Sequence, residues 1–329
     1  MRTGDASQGH YFFRCAPVDV MGTEQKPLEK EPAFRATIVP EPEWDALFHG
    51  LMECRGKAMI IGATDSGKST LVRYLLERMI AAEVKVCLVD SDVGQSSLGL
   101  PGTISMKLFR YEQDMGDFRY DQMSFIGTVN PARDIASVIN TTKRMSGKCR
   151  TMADVTLLDT SGLISGDIGM ALKVGKINAI KPDHIIAIQG HDELEHILNS
   201  LDGIKVHRIA TPSSAQIRTI AMRTRYRNKR LGNYFRQNDI SDFILYAKEV
   251  HFLHRGLPIA LKGHAFKKDT VIGLNHGEDT LALGILCDIT DDSIMFRTPL
   301  SSLRKINRVV FGDMTMDLFE SQAGREADI

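Results

Sequence analysis

The sequence predicts an α/β fold, in which a parallel β-sheet covered by helices on both faces is followed by a small β-rich C-terminal domain. Two observations support this prediction. Between residues 57 and 210, short apolar runs alternate with helix-compatible segments, the pattern of a parallel sheet. After about residue 250, short β-type runs are separated by turn residues such as Asn-His-Gly and Asp-Asp. We therefore expect an N-terminal arm at 1–40, a main domain at 41–245 and a β-rich domain at 246–329.

The bulk composition is that of a soluble globular protein without net charge. The 329 residues include 41 Lys plus Arg and 41 Asp plus Glu. Any electrostatic attraction to nucleic acid must therefore come from a local cluster of basic residues and not from the net charge. No run approaches the ~20 apolar residues of a membrane span, and the polar N-terminus lacks a signal-peptide stretch. The five cysteines are scattered without a C-x-x-C pair and are expected to be reduced thiols. We expect a cytoplasmic protein that does not bind membranes.

The first elements in chain order are an arm and a short helix. Residues 1–40 carry scattered Pro, Gly and charged residues, which indicate a loosely structured arm or the remnant of a small β element. From Pro40 to Cys54, the residues Trp44, Leu47 and Leu51 recur at helical spacing and predict an amphipathic helix. We interpret Trp44 as a core residue of that helix.

Six apolar runs predict the strands of the sheet. The run KAMIIG is typical of a buried parallel strand and precedes a helix predicted over 69–82. The predicted strands cover residues 57–62, 84–90, 123–128, 154–162, 184–190 and 204–210. Helix-compatible segments separate most of them, as expected for helices on both faces of the sheet.

A phosphate-binding motif ends the first predicted strand and begins the helix that follows. Its spacing, G-x-x-x-x-G-K-S, is that of a P-loop. The glycines bring backbone N–H groups onto phosphate oxygens, and the helix N-terminus adds donors and partial positive charge. Lys68 is expected to contact the β- and γ-phosphates, and the Ser69 hydroxyl to bind Mg²⁺. The predicted nucleotide-binding residues are Gly62, Ala63, Thr64, Asp65, Ser66, Gly67, Lys68, Ser69 and Thr70.

Acidic residues end two of the predicted strands. Asp90 and Asp92 follow the second strand, where a carboxylate can point into the ligand crevice, hold Mg²⁺ or accept a hydroxyl proton. The alternative for this pair is a solvated turn. Asp159 ends the fourth strand like the Asp of a Walker B strand, with Thr160 and Gly162 facing the phosphates; the alternative is an ordinary turn. Together with the motif, these residues predict a P-loop NTPase sheet.

A basic stretch follows the last predicted strand; we call it the arginine segment (residues 217–235). It contains six Lys and Arg residues and no acidic residue. Arg223 and Arg227 are one helical turn apart and would project together. Guanidinium groups stabilise charge on a transferring phosphoryl group, and they can also hold the backbone phosphates of an acceptor. The alternative is a solvated helical face or a patch for acidic partners.

These clusters and their order resemble the P-loop polynucleotide 5′-hydroxyl kinase family. Its members include the kinase-like subunit of the eukaryotic pre-mRNA cleavage factor, the ribosomal-RNA-processing polynucleotide kinases and archaeal RNA kinases. The matching motifs are GATDSGKST, DSDVGQSSLGLPGT, FIGTVNPARD, DTSGLISG and RTRYRNKRLGNYF, which span about residues 58–235. The tail with GLNHGEDTLALGIL is similar to the family's C-terminal module. The long N-terminal β domain of the eukaryotic members is expected to be missing or reduced.

The resemblance implies roles for individual residues. Asp92 is the implied base or metal-organising acid for a 5′-hydroxyl, Gln95 joins the nucleotide site by ordering metal and reacting groups, and Arg223 and Arg227 match the R-x-x-x-R of a lid. The implied metal-binding residues are Ser69, Asp92 and Asp159, and the implied substrate-binding residues are Thr128, Thr160 and Gly162. One residue departs from the family: Leu163 stands where a tryptophan often does. A tryptophan can stack on an acceptor base for ~1–3 kcal/mol, which leucine cannot do.

The leading hypothesis is an enzyme that moves the γ-phosphoryl group of ATP or GTP, with Mg²⁺, to a 5′-hydroxyl of RNA or DNA. Its partner would be single-stranded nucleic acid or a nucleic-acid 5′ end. One alternative is a catalytically weak ATP-binding scaffold of an RNA-processing assembly, which docks a protein through the C-terminal domain. Another is a switch ATPase or GTPase, although that class usually has a lysine where this chain has Ala63.

Overall fold

The computed structural model describes residues 38–116 and 118–316, which form two seven-stranded β-sheets and six α-helices. The first sheet ends at Ala210 and carries helices on both faces, and the second is mainly antiparallel. The predicted α/β fold with a β-rich C-terminal part is therefore confirmed. The predicted N-terminal arm lies almost entirely outside the described residues and stays a prediction.

The first sheet places the ends of three parallel strands side by side. Its strands are β1 (Lys57–Gly62), β2 (Val86–Ser91), β3 (Thr103–Phe109), β4 (Gln122–Phe125), β5 (Val155–Thr160), β6 (His184–Gln189) and β7 (Lys205–Ala210). Their order is β4-β3-β2-β5-β1-β6-β7. β5 runs parallel to both β2 and β1, so the carboxyl ends of these three strands meet at one edge.

The first sheet departs from the predicted parallel arrangement at one strand, β3. No strand is predicted over Thr103–Phe109, yet these residues form β3, which runs antiparallel to both β2 and β4. The segment TISMKLF alternates polar and apolar residues, the pattern typical of a strand, and in the structure all seven residues are buried. A turn at Gly102, with a φ of +78°, precedes β3. The chain therefore returns beside β2 without a crossover helix, which is possible only for antiparallel neighbours.

Helices cover both faces of the first sheet. They are α1 (Pro42–Glu53), α2 (Lys68–Ala81), α3 (Ile135–Cys149), α4 (Gly166–Ile180), α5 (Glu195–Leu198) and α6 (Ile220–Arg236). Residues of α1 and α2 share one core cluster with the sheet, and residues of α3, α4 and α5 share the other. Both predicted helices in this part of the chain are confirmed, and Trp44 is buried in the core as expected. None of the helices in the described ranges is long and apolar enough to cross a membrane.

The second sheet begins with β8, ahead of the predicted domain boundary at residue 246. Its strands are β8 (Ser241–Tyr246), β9 (His251–His254), β10 (Leu257–Ile259), β11 (Thr270–His276), β12 (Asp279–Ile289), β13 (Ser293–Thr298) and β14 (Arg308–Thr315). Their order is β10-β9-β14-β11-β12-β13-β8, and only the β14–β9 pair is parallel. The Asn-His-Gly turn signal joins β11 to β12.

A shared core connects the two sheets and holds the C-terminal half of α6. Leu231, Tyr234 and Phe235 of α6 pack in one cluster with Phe125 of β4 and Leu283 of β12. The Tyr234 hydroxyl accepts a hydrogen bond from the Leu283 backbone N–H at 3.1 Å. Because this half of α6 is fixed in the core, its N-terminal half is directed toward the first sheet.

The prediction that all five cysteines are reduced thiols is wrong for two of them. Cys87 of β2 and Cys149 of α3 form a disulfide, with their Cα atoms 5.8 Å apart. The two residues are 62 positions apart in sequence, and only the packing of α3 on the sheet brings them together. Cys54 and Cys287 are free, and Cys15 lies outside the described residues.

Candidate active site

The P-loop connects the end of β1 to the start of α2, as predicted. Gly67 is the residue before α2 and has a φ of +89°, in the left-handed region that glycine adopts without cost. A Cβ there would also lie 3.1 Å from the Pro212 ring. This turn gives α2 a free N-terminus, whose N–H groups and dipole favour an anion.

The Lys68 side chain is buried inside the P-loop rather than solvated. Its ammonium donates a hydrogen bond to the Ala63 carbonyl at 2.6 Å. Burial lowers the pKa of Lys68, while the carboxylates of Asp159, Asp92 and Asp65 oppose that shift. The lysine is therefore surrounded by acidic groups from three different segments.

Ser69 and Asp159 form an oxygen-rich pair at the ends of α2 and β5. The Ser69 hydroxyl donates to Asp159 Oδ2 at 2.8 Å, and Asp159 Oδ1 is buried with no hydrogen-bond partner among residues 38–116 and 118–316. Burial, followed by the neighbouring Asp90 carboxylate, raises the pKa of Asp159 to about 7. Unpaired carboxylate oxygen beside a hydroxyl is the donor chemistry that Mg²⁺ prefers. The described residues hold no group of three or more His, Cys, Asp or Glu placed for a metal, so phosphate oxygens would have to complete this site.

Asp90 builds the loop that follows β2, which we call the Asp92 loop (residues 92–99). The buried Asp90 carboxylate accepts hydrogen bonds from the backbone N–H groups of Asp92, Ser97 and Leu98, and from the Ser96 hydroxyl. A buried carboxylate with this many donors fixes the loop rather than leaving it solvated. Of the predicted pair, Asp90 therefore has a structural position, and Asp92 is left to face the site.

Asp92 lies in the loop, one residue beyond β2. Its Oδ1 accepts hydrogen bonds from the backbone N–H groups of Gly94 and Gln95 at 2.9 and 3.0 Å. Its Oδ2 has no hydrogen-bond partner within the described ranges. The Gln95 Nε2 donates to the Gly94 carbonyl at 2.7 Å, and its Oε1 is buried without a partner. Two polar oxygens on this loop are thus available to a ligand.

The arginine segment lies across both the P-loop and the Asp92 loop. Arg218 and Arg223 bind the Asp65 carboxylate in the P-loop, and the Tyr226 hydroxyl donates to the Ser96 carbonyl at 3.0 Å. Arg230 donates to the Gly99 carbonyl. Helix α6 therefore joins the two loops that carry Lys68 and Asp92.

Arg223 and Arg227 project together, one helical turn apart, as predicted. The Arg227 Nη2 donates to the Thr224 hydroxyl at 2.8 Å. Burial and then the charge of Arg223 lower the pKa of Arg227, while Asp92 raises it. The two guanidinium groups are thus near each other. Asp65 binds Arg223, and the charge of Asp92 acts on Arg227.

The predicted substrate-binding residues border the same edge of the sheet but have protein partners. The Thr160 hydroxyl donates to the Ile60 carbonyl at 2.7 Å, and the buried Thr128 hydroxyl accepts from the Asn130 backbone N–H at 3.2 Å. At Gly162, a Cβ would lie 2.3 Å from Thr64 Oγ1, so this loop touches the P-loop. The roles of these three residues, like those of Thr64, Ser66 and Thr70 around the P-loop, stay predictions.

Two buried lysines on α4 were not singled out from the sequence. Lys173 donates to the Thr160 hydroxyl at 2.8 Å and to the Ser161 carbonyl, and Lys176 donates to the Ser91 hydroxyl at 2.7 Å. Burial lowers the pKa of both, that of Lys176 to about 8. From α4, the two lysines thus hydrogen-bond to the carboxyl ends of β5 and β2. Two lysines within the mainly apolar stretch GMALKVGKINAI are the signal that could have revealed them.

Comparison with known families identifies a match over the whole site. The family model described as the mRNA cleavage and polyadenylation factor CLP1 P-loop matches residues 62–237. That range begins at the first P-loop glycine and ends just after α6. It therefore contains every predicted site residue.

Several curated proteins are similar to the chain in sequence. A polyribonucleotide 5′-hydroxyl-kinase of Pyrococcus furiosus is 33% identical over 197 residues, covering 57% of this chain and 53% of that protein. The protein of the same name from Pyrococcus horikoshii is 31% identical over 233 residues, covering 67% and 63%. An Arabidopsis thaliana protein named CLP1 homolog 5 is 26% identical over 211 residues, covering 60% and 49%. The matched region thus spans about half to two thirds of these relatives.

A solved structure shares the fold. The Clp1p chain of a Clp1p–Pcf11p complex superposes with a TM-score of 0.66 and 10% identity, covering 85% of this chain and 81% of that one. At this level of identity the likeness extends to the fold alone.

Proposed function

The chain belongs to the CLP1 P-loop family, and on that premise we propose that it is a polynucleotide 5′-hydroxyl kinase. One observation carries the proposal: α6 contacts the P-loop through Arg223 and the Asp92 loop through Tyr226. A phosphate-binding loop, an acidic group and a pair of arginines therefore surround one space, as phosphoryl transfer requires. The matched relatives named polyribonucleotide 5′-hydroxyl-kinase support the choice of acceptor.

The donor would be ATP or GTP held by residues 62–70, with Gln95 beside it. Lys68 would exchange its hydrogen bond to the Ala63 carbonyl for contacts with the β- and γ-phosphates. Ser69, Asp159 and Asp92 would hold Mg²⁺, since Asp159 Oδ1 is a buried oxygen without a partner. When bound, the metal ion supplies neutralisation of the phosphate charge.

In the proposed reaction, the acceptor hydroxyl oxygen bonds to the γ-phosphorus as the bond to the β,γ-bridging oxygen breaks. The nucleoside diphosphate leaves with that electron pair, and the hydroxyl proton passes to Asp92 Oδ2. Two backbone N–H groups on Asp92 Oδ1 orient the carboxylate for this task. Arg223 and Arg227 would stabilise the charge that spreads over the transferring oxygens.

The acceptor would lie along Thr128, Thr160 and Gly162, next to Leu163. Leucine at this position offers packing but no stacking surface, so we expect the first base of the acceptor to be bound weakly. Both RNA and DNA ends are acceptors to be compared. A protein partner for residues 246–329 stays a prediction; the similar Clp1p structure holds Pcf11p, which supports a search for such a partner.

The test is transfer of label from γ-labelled ATP or GTP to 5′-hydroxyl RNA and DNA oligonucleotides with Mg²⁺. We expect labelled oligonucleotide, abolished by Lys68→Ala and by Asp92→Asn. The exposed residues Lys85 and Asp202 provide matched controls, and Lys85→Ala and Asp202→Asn should retain transfer. Label found only as free phosphate would identify a switch NTPase instead. Bound nucleotide without any turnover would identify a scaffold.

A further inference from the structure

The P-loop carries a carboxylate, Asp65, where an acid is not expected to help phosphate binding. The Asp65 backbone has a φ of +60°, and its side chain is 3% exposed. A negative charge this close to a polyphosphate site opposes nucleotide binding, because like charges repel strongly in a partly desolvated site. The residue therefore needs a separate explanation.

Among the described residues, all the hydrogen-bond partners of the Asp65 carboxylate belong to the arginine segment. The Arg218 backbone N–H donates to Oδ2 at 2.8 Å, and the Arg218 Nε donates to Oδ1 at 3.2 Å. The Arg223 Nη2 donates to Oδ2 at 2.7 Å. Burial alone would raise the pKa of Asp65, but these donors outweigh it and hold the pKa below its ordinary value. The charged Asp65 carboxylate thus binds a residue just before α6 and the first turn of that helix.

Arg223 is held by one edge of its guanidinium group, which leaves other donors unused. Its side chain is 25% exposed, and its Nε is buried with no hydrogen-bond partner in the part of the chain that the structure describes. A buried guanidinium donor without a partner is costly unless a ligand completes it. The unpaired Nε belongs to the same side chain that touches the P-loop, so a bound phosphate oxygen can complete it.

We propose that Asp65 is a positioning residue that holds Arg223 beside the P-loop, so that its remaining donors meet the transferring phosphoryl group. This inference rests on the proposed kinase function. The carboxylate repels the nucleotide, but it fixes the orientation of Arg223 before the nucleotide binds. Its contribution therefore falls on the transfer step and not on nucleotide affinity.

The substitution Asp65→Asn separates this role from a structural one. It keeps the size of the side chain and an acceptor for the Arg218 N–H, but removes the charge that holds Arg223. We expect kcat to fall about 10- to 100-fold, the range of a lost hydrogen bond to a charged group. Nucleotide affinity should stay the same or rise, because a negative charge near the phosphates is gone. A purely structural role would instead weaken nucleotide binding and kcat together.

A double variant tests whether Asp65 acts through Arg223. If it does, Asp65→Asn combined with Arg223→Gln should be no slower than Arg223→Gln alone. Glu195 is a partly buried carboxylate that binds Arg208, and Glu195→Gln is the matched control for loss of an acid–arginine pair. We measure kcat and nucleotide Kd for each protein, with thermal unfolding as a check of folding.

Hydrogen exchange gives a readout that does not need activity. In the nucleotide-free protein, Asp65→Asn should speed amide exchange over residues 218–224 and leave residues 231–235, which lie in the shared core, unchanged. The inference is overturned if exchange over 218–224 matches the unsubstituted protein, if kcat stays within twofold, or if the double variant multiplies the two single losses. Absence of any labelled oligonucleotide with the unsubstituted protein would reject the kinase proposal, and the exchange result alone would then decide the role of Asp65.

Discussion

At Gly162, a single missing side chain allows two loops of the site to touch. A Cβ would lie 2.3 Å from Thr64 Oγ1 and 2.5 Å from the Thr64 backbone nitrogen, distances that real Cβ atoms do not reach. The loop after β5 therefore supports the P-loop backbone directly. This close approach explains why the residue at position 162 is a glycine, independently of any contact with substrate.

We predict that Gly162→Ala displaces the P-loop and weakens nucleotide binding at least about 10-fold, or roughly 1.4 kcal/mol. Calorimetric titration with ATP measures the loss. Gly147 in α3 has open space around its Cα, so Gly147→Ala is the control and should bind ATP normally. Normal ATP affinity for Gly162→Ala would contradict the contact with Thr64.

The buried Lys176 should make the free energy of unfolding depend on pH in a specific way. Burial lowers its pKa from 10.5 to about 8, so between these values the unfolded chain holds more protons than the folded one. The free energy of unfolding should therefore rise with pH from about 8 to 10.5 relative to Lys176→Met, and the difference should level off below pH 8. Urea unfolding of both proteins across this range measures it. Lys85→Met, at an exposed position, is the control for removal of a lysine, and a flat difference for Lys176→Met would contradict burial of the charged form.

At the scale of elements, α6 divides into two halves with different roles. The C-terminal half is buried in the shared core, whereas Arg223 and Tyr226 of the N-terminal half bind loops of the first sheet. The two kinds of residue are separated along the helix, since most of its basic residues precede the buried Leu231, Tyr234 and Phe235. The element that carries the lid arginines is thus supported from the second sheet.

We predict that Tyr226→Phe loosens α6 on the Asp92 loop. The lost hydrogen bond to the Ser96 carbonyl should lower the free energy of unfolding by about 1 kcal/mol, and kcat should fall by a larger factor than nucleotide affinity. Urea unfolding and steady-state kinetics provide the two measurements. Tyr246→Phe on the exposed part of β8 is the control and should change neither quantity. Equal behaviour of the two variants would argue against a role for this contact.

At the scale of the whole molecule, the two sheets form one structural unit through their shared core. Phe125 of β4 packs with Phe235 of α6 and Leu283 of β12, and the Phe125 backbone N–H donates to the Thr280 hydroxyl at 2.8 Å. Arg144 of α3 binds Asp279 of β12. Damage to this core should therefore affect both sheets together.

We predict that Phe235→Ala lowers the free energy of unfolding by about 3–5 kcal/mol, since it opens a cavity in the shared core. Unfolding should remain a single transition when it is followed by both far-ultraviolet circular dichroism and Trp44 fluorescence, which reports on the first sheet. Ile244, which is 52% exposed on β8, is the control, and Ile244→Ala should stay within about 0.5 kcal/mol. Two separated transitions for Phe235→Ala would show that the sheets unfold independently.

Local patterns were sufficient for several features of the site. The P-loop, the helix after it and the strands ending in Asp90 and Asp159 follow from spacing and apolar runs, which depend on neighbours in sequence. The strand β3 was not predicted, although its segment TISMKLF alternates polar and apolar residues; its antiparallel direction depends on its pairing with β2 and β4, which a local pattern does not specify. Lys173 and Lys176 were missed because charged residues in a helix are usually solvated.

By itself, the sequence determined the α/β class, the phosphate loop and the residue types around it, since each depends on periodicity or on a motif of fixed length. Only the tertiary structure decided that Asp90 supports the loop while Asp92 faces the site, that Arg223 meets Asp65, and that Cys87 pairs with Cys149. These relations join segments that are up to 158 residues apart in sequence. The Arg223 and cysteine contacts are set by how the helices pack on the sheet, and the Asp90 contacts by the path of the loop after β2; local propensity specifies neither.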